Sequence, residues 1–107
     1  MERIALHTRL REGKEAEYDR VHAEIPAELD DLLRREGIFA WRIYRSGRDL
    51  FHYVECDDYA SFLRAVKDDP VNLAWQARMS ELLEVAHDYA SAETNALGLV
   101  WELPEKR

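Results

Sequence analysis

A single cysteine, Cys56, excludes an intrachain disulfide and any site built on several thiolates. It falls in an alternating apolar run, where the expected role is that of a small buried hydrophobe. Glycine is sparse too. Gly13, Gly37, Gly47 and Gly98 are scattered, so no glycine-rich loop is present to cradle a phosphate. Long hydrophobic runs are missing: nothing approaches the length of a membrane span. The start, MERIALHTRLREGK, is charged from its second residue and has no apolar stretch of signal-peptide length. These features predict a cytosolic protein with no membrane partner. Positive charge is in short supply, with 15 Lys and Arg against 22 Asp and Glu and a formal net charge of −7. No cationic cluster offsets that sign, so nucleic acid is not expected as a partner. No serine sits in a nucleophile-elbow context. The four histidines, His7, His22, His52 and His87, show no tight ligand spacing, and two of them fall in predicted strands far from His22 in sequence. That spacing argues against a metal.

What is present is the composition of a folded chain. With 107 residues, 47% hydrophobic and 35% charged, residues 1–107 are expected to form one domain with one modest core. Residues 2–10 alternate as a half-buried strand, with Ile4, Leu6, Thr8 and Leu10 on one side. A helix is predicted from about Glu15 to Ala23. Pro26 opens a second, whose apolar stripe is Leu29, Leu32 and Leu33 and which Gly37 ends. Residues 38–45 and 50–56 alternate on either side of a Ser46–Asp49 turn, an antiparallel hairpin. A short helix follows Asp57 or Asp58 through Val66, with Tyr59, Phe62 and Leu63 as anchors. Asp69 and Pro70 start a longer one, read with Trp75, Met79, Leu82, Leu83 and Ala86 along one side. His87 to Asn95 reads as a polar loop. Leu97, Leu99, Trp101 and Leu103 alternate as a last strand, with Trp101 read as core filling, and residues 104–107 as a frayed tail.

The order strand, helices, strand, strand, helices, strand predicts an α+β fold. An antiparallel sheet carries helices on one face, the ferredoxin-like arrangement. Both sides of the hairpin strands carry large apolar residues, so the face away from the helices should also be covered. A second copy packing sheet to sheet would do so, and a homodimer is expected.

The stretch that organises the chemistry is Tyr18 to Pro26, YDRVHAEIP. Tyr18 and His22 lie one helical turn apart and share a face. A Tyr and a His on a helix are often half-buried packing residues with satisfied polar tips. An acid–base function is the sharper reading, because free histidine titrates near neutral pH. Three tryptophans and five tyrosines are many for so short a chain, and aromatic faces stack on the apolar C–H faces of sugars.

Tyr18 and His22, PAEL after them, Gly37 opening the I-F-A-W-R-I-Y strand, and LAWQARM at 73–79 together resemble the L-rhamnose mutarotase family. The resemblance runs over nearly the whole chain. It implies a dimeric ferredoxin-like fold (the dimeric α+β barrel type) and exchange of the α and β anomers of L-rhamnose or a related deoxy sugar without a cofactor. It puts the catalytic histidine on His22 and substrate contacts on Tyr18, Trp41, Trp75 and Gln76. Two positions depart from the pattern: Trp41 stands where the family often has tyrosine, and Gln76 where it often has a second tryptophan. Both bear on which sugar is preferred.

The mechanism expected on this basis has His22, as imidazolium, protonate the ring oxygen while a base takes the anomeric proton. Water or a carboxylate are the candidates for that base. Fold alone does not choose among functions, so two other readings stand beside this one. One is a small dimeric ferredoxin-like monooxygenase or haem-degrading enzyme. The other is a non-catalytic ligand-binding module in which Tyr18 and His22 only pack.

Overall fold

A computed structural model describes residues 1–104; of the expected frayed tail, residues 105–107 lie outside them. Strand β1 (Glu2–Leu10) buries Leu6, Thr8 and Leu10 on one side and turns Arg3, His7 and Arg9 to the other, as the alternation predicts. Helix α1 (Glu15–His22) follows. Helix α2 (Ala27–Arg35) begins one residue after Pro26, whose carbonyl accepts from the amides of Leu29 and Asp30 at 3.1 Å each. Leu29 and Leu32 are its buried stripe. Gly37 ends it at φ 91°, a left-handed conformation that favours glycine, and a Cβ there would stand 3.0 Å from Asp57 Oδ2.

Strands β2 (Ile38–Ser46) and β3 (Asp49–Cys56) form the hairpin. Asp58 caps helix α3 (Tyr59–Val66) by accepting from the Ser61 amide at 3.1 Å. Asp69 caps α4 (Pro70–Ser80) by accepting from Val71 at 2.9 Å, with Pro70 in the first turn. Two short strands, β4 (Leu83–Val85) and β5 (Ala96–Leu97), complete the chain.

All pairings are antiparallel and the order is β2-β3-β1-β4, with β5 on the same edge of β1 as β4. This is the ferredoxin-like sheet that the element order predicts. Buried apolar residues form two clusters under the helices. One joins Leu6, Val54 and Cys56 to Phe62, Leu63 and Val66. The other joins Leu10 and Leu50 to Tyr18, Met79, Leu82 and Leu83. Cys56 is buried and free, in the role expected of it.

Two elements differ from the sequence reading. The fourth helix stops at Ser80, so Leu82, Leu83 and Ala86 do not continue it. Instead the chain turns, the Arg11 amide donates to the Leu82 carbonyl at 2.8 Å, and Leu83–Val85 pairs with Arg9 and Leu10. The edge of β1 offers unpaired backbone groups, and that pairing outweighs a helical pattern that no glycine or proline interrupts. Leu82 and Leu83 are still buried, but from a turn and a strand. The second difference is the last strand, which stops at Leu97. Gly98 brings no side chain to the ladder. Leu99, Trp101 and Leu103 lie outside regular structure and are largely exposed, so Trp101, at 71% exposure, is not core filling.

Candidate active site

Between the two apolar clusters lies a cavity of about 390 Å³, within the size range of small-molecule sites. Tyr18, His22, Trp41, Trp75 and Gln76 all line it. The sheet closes it from below through Thr8, Trp41 and His52, and α1 and α4 wall it with His22, Trp75 and Gln76. A larger groove of about 780 Å³ opens between α2 and α4, sharing Leu29 and Trp75 with the cavity. Its polar lining is Arg20, Glu24, Glu28 and Arg78, and of the five residues expected at the site it touches Trp75 alone.

The last turn of α1 sets the geometry of the first histidine. His22 Nδ1–H donates to the Tyr18 carbonyl at 3.0 Å, leaving Nε2 as the nitrogen free for chemistry. Its ring lies 3.9 Å from the Tyr18 ring and meets the edge of Trp75 at 5.2 Å. Burial draws the His22 pKa below the ordinary imidazole value, while the bond to the Tyr18 carbonyl and the nearby Asp19 carboxylate pull it back up. Asp19 is held in place by both arms of Arg45, at 2.7 and 3.2 Å, which ties α1 to the end of β2. Tyr18 is buried, and burial raises its phenol well above the usual value.

A second polar group was not foreseen. Trp41 Nε1–H donates to His52 Nδ1 at 3.1 Å. An indole only donates, so His52 must accept there and carry its proton on Nε2, which then donates to Thr8 Oγ1 at 2.8 Å. Both groups are buried, and His52 is held down to about pKa 3, first by burial and then by repulsion from neighbouring imidazoles. His87 packs against this pair, 4.6 Å from the His52 ring and 5.7 Å from Trp41. Its Nδ1 is buried without a hydrogen-bond partner, and burial lowers it to about pKa 4.

The loop bearing His87 is irregular, as expected, but well fastened. Asn95 accepts from the Asp88 amide at 2.8 Å and donates to the carbonyls of Ala86 and His7. Tyr89 OH accepts from Gln76 Nε2 at 2.7 Å and donates to Asn72 Oδ1 at 3.2 Å. The Gln76 amide also donates to Asn72 Oδ1 at 3.4 Å, so its two N–H groups are spent on Tyr89 and Asn72 and only Oε1 is left to offer a ligand.

Three of the four histidines thus share one cavity, although their spacing, at 22, 52 and 87, shows nothing of it. His7 lies on the opposite face of the sheet, donating from Nε2 to Asp49 at 2.8 Å. Among the described residues, no group of three or more His, Cys, Asp or Glu is placed to hold a metal ion. Nor is any helix among them long and apolar enough to cross a membrane.

Fold and cavity together define a ferredoxin-like α+β domain with an imidazole- and aromatic-lined pocket between its sheet and its helices. The family profile described as L-rhamnose mutarotase matches residues 3–103. The chain belongs to the L-rhamnose mutarotase family. Two relatives named L-rhamnose mutarotase agree with this. One, from Opitutus terrae, is 34% identical over 80 residues, 73% of this chain and 76% of its own length. The other, from Brucella anthropi, is 35% identical over 89 residues, 81% and 83% of the two chains. Among solved structures, L-rhamnose mutarotase from Formosa agariphila superposes with a TM-score of 0.76 at 20% identity, covering 97% of this chain and 100% of that one. Tetracenomycin F2 cyclase from Streptomyces glaucescens, described as a type-II polyketide cyclase, superposes at 0.72 with 16% identity, covering 99% and 100%. At such identities these two likenesses concern the fold.

Proposed function

We propose that this chain exchanges the α and β anomers of L-rhamnose or a related deoxy sugar, with His22 as its acid–base group. The observation that carries the reading is the convergence of Tyr18, His22, Trp41, Trp75 and Gln76 on one cavity in a chain of this family. The sugar lays its apolar face on Trp75 and Trp41. Trp41 offers only ring carbons, because its N–H is taken by His52. Tyr18 and Gln76 Oε1 meet the hydroxyls. His22 gives a proton to the ring oxygen from Nε2, the ring opens, and closure on the other face of the aldehyde yields the second anomer.

The active species is a homodimer. Tyr44 and Phe51 are exposed on the sheet face away from the helices, and Leu99, Val100, Trp101 and Leu103 are exposed beyond it, an apolar surface that a second copy would cover. A cytoplasmic setting is in keeping with the lone free thiol of Cys56.

Saturation-transfer NMR of anomer exchange in L-rhamnose and L-fucose tests the activity, comparing the wild type with His22→Ala. A positioned general acid contributes a factor of about 10²–10⁴, so that loss is expected, with sugar affinity kept within a few-fold. Unchanged exchange in His22→Ala would remove His22 from the chemistry. A folded variant that binds no sugar would make it a docking residue. Sedimentation of the full chain over a range of concentrations tests the dimer.

A further inference from the structure

Opening a pyranose ring takes two proton transfers, and His22 accounts for one. The ring oxygen gains a proton as its bond to C1 breaks, and the anomeric hydroxyl must lose one for the carbonyl to form. A carboxylate was one candidate for the second role, but among the described residues no Asp or Glu lines the cavity. Besides His22, its titratable side chains are Tyr18, Tyr89, His52 and His87. Burial raises both phenols, Tyr89 up to about 12, so each keeps its proton and is no base. His52 has both nitrogens engaged, one accepting from Trp41 and one donating to Thr8. Neither ring nitrogen of His87 is in a hydrogen bond with the described residues; Nδ1 is closed off, and Nε2 is the nitrogen left open. An unengaged imidazole nitrogen on a residue that lines a ligand-sized cavity is free to take a proton from what the cavity holds.

We propose that His87 is the second catalytic residue, the base that takes the anomeric proton while His22 protonates the ring oxygen. This rests on the mutarotase reading above. The ring of His87 is set by edge contacts with Trp41 (90° between planes) and His52 (68°), and its backbone by the Asn95 bonds to Asp88 and Ala86. It is thus held without spending a nitrogen.

The step balances within the pair. Nε2–H of the His22 imidazolium passes to the ring oxygen, which also keeps the electron pair of the broken C1–O bond. The anomeric O–H proton passes to His87, and the electron pair it leaves forms the C1=O bond. Rotation about C1–C2 and the reverse transfers close the ring on its other face and return the proton to His22. One proton therefore serves two imidazoles. It rests on His22 because the Tyr18 carbonyl and Asp19, the latter bonded to Arg45 of β2, favour charge there. From other elements His87 meets Trp41 and the neutral His52, neither of which stabilises a charge on it. As His22 gives up its proton, its repulsion of a cation at His87 disappears.

Anomer exchange of L-rhamnose by the full chain tests this with two variants. His87→Ala should lose at least about 100-fold in exchange rate with affinity kept within a few-fold, and added imidazole should restore part of the rate. His87→Gln fills the same space and hydrogen-bonds but takes no proton. It should show the same loss without rescue, and it covers the case in which the alanine variant fails to fold. Wild-type exchange in His87→Gln overturns the proposal and leaves the mutarotase reading intact. A loss confined to affinity also overturns it. Absence of exchange in the wild type defeats the underlying reading, and this proposal with it.

Discussion

The indole N–H of Trp41 points at Nδ1 of His52, 3.1 Å away, and this one bond settles the tautomer of a buried histidine. His52 is left to donate from Nε2 to Thr8, whose hydroxyl oxygen is thereby occupied as an acceptor and whose proton is free to turn to the cavity. The polarity of the cavity floor thus descends from an indole on β2.

Trp41→Phe removes the donor that His52 Nδ1 has among the described residues. The expected result is a mixture of His52 tautomers, read from imidazole ¹⁵N shifts, where the wild type shows Nε2–H alone. Stability should fall by about 1 kcal/mol in urea unfolding, the cost of one lost hydrogen bond in a buried site.

Acid should destabilise the fold through its cavity. His52 is held to about pKa 3 and His87 to about 4, while the unfolded chain takes up their protons near 6.5. Below that value the unfolded state binds more protons than the folded one, so stability falls as pH drops from about 6.5 toward 4. Neither group contributes above pH 7. The loss should be on the order of a few kcal/mol, measured as a lower urea midpoint at pH 5 than at pH 7.5. His52→Gln, which can still accept from Trp41 and donate to Thr8, should flatten that slope.

Asp19→Asn withdraws a negative charge that favours protonated His22. The His22 pKa should fall, seen in an NMR titration of its ring protons. With less imidazolium present at neutral pH, anomer exchange should slow several-fold there and recover at lower pH. Sugar affinity should change little.

Tyr89→Phe deletes the hydroxyl shared by Gln76 and Asn72. The expected cost is about 1 kcal/mol. Amide exchange in residues 87–90 should speed up while the sheet stays protected, because Asn95 still ties the far end of the loop to β1.

The sequence determined the alternation of β1, β2 and β3, the cap at Asp69 and one at Asp57 or Asp58, the turn at Gly37 and the pairing of Tyr18 with His22. Each of these is local, fixed by a period of two, by one side chain reaching the next amide, or by one helical turn. It also pointed to Trp41, Trp75 and Gln76, through resemblance. The end of α4 at Ser80 was not legible, because the competing partner of Leu83 is the edge of β1, more than 70 residues earlier. The same holds for His52 and His87. Their ring contact joins the middle of a central strand to a loop 35 residues on, and no spacing rule spans that gap. Tertiary structure alone brought three imidazoles to one cavity, and burial then set their protonation, because a charge without solvent or a counterion is disfavoured there.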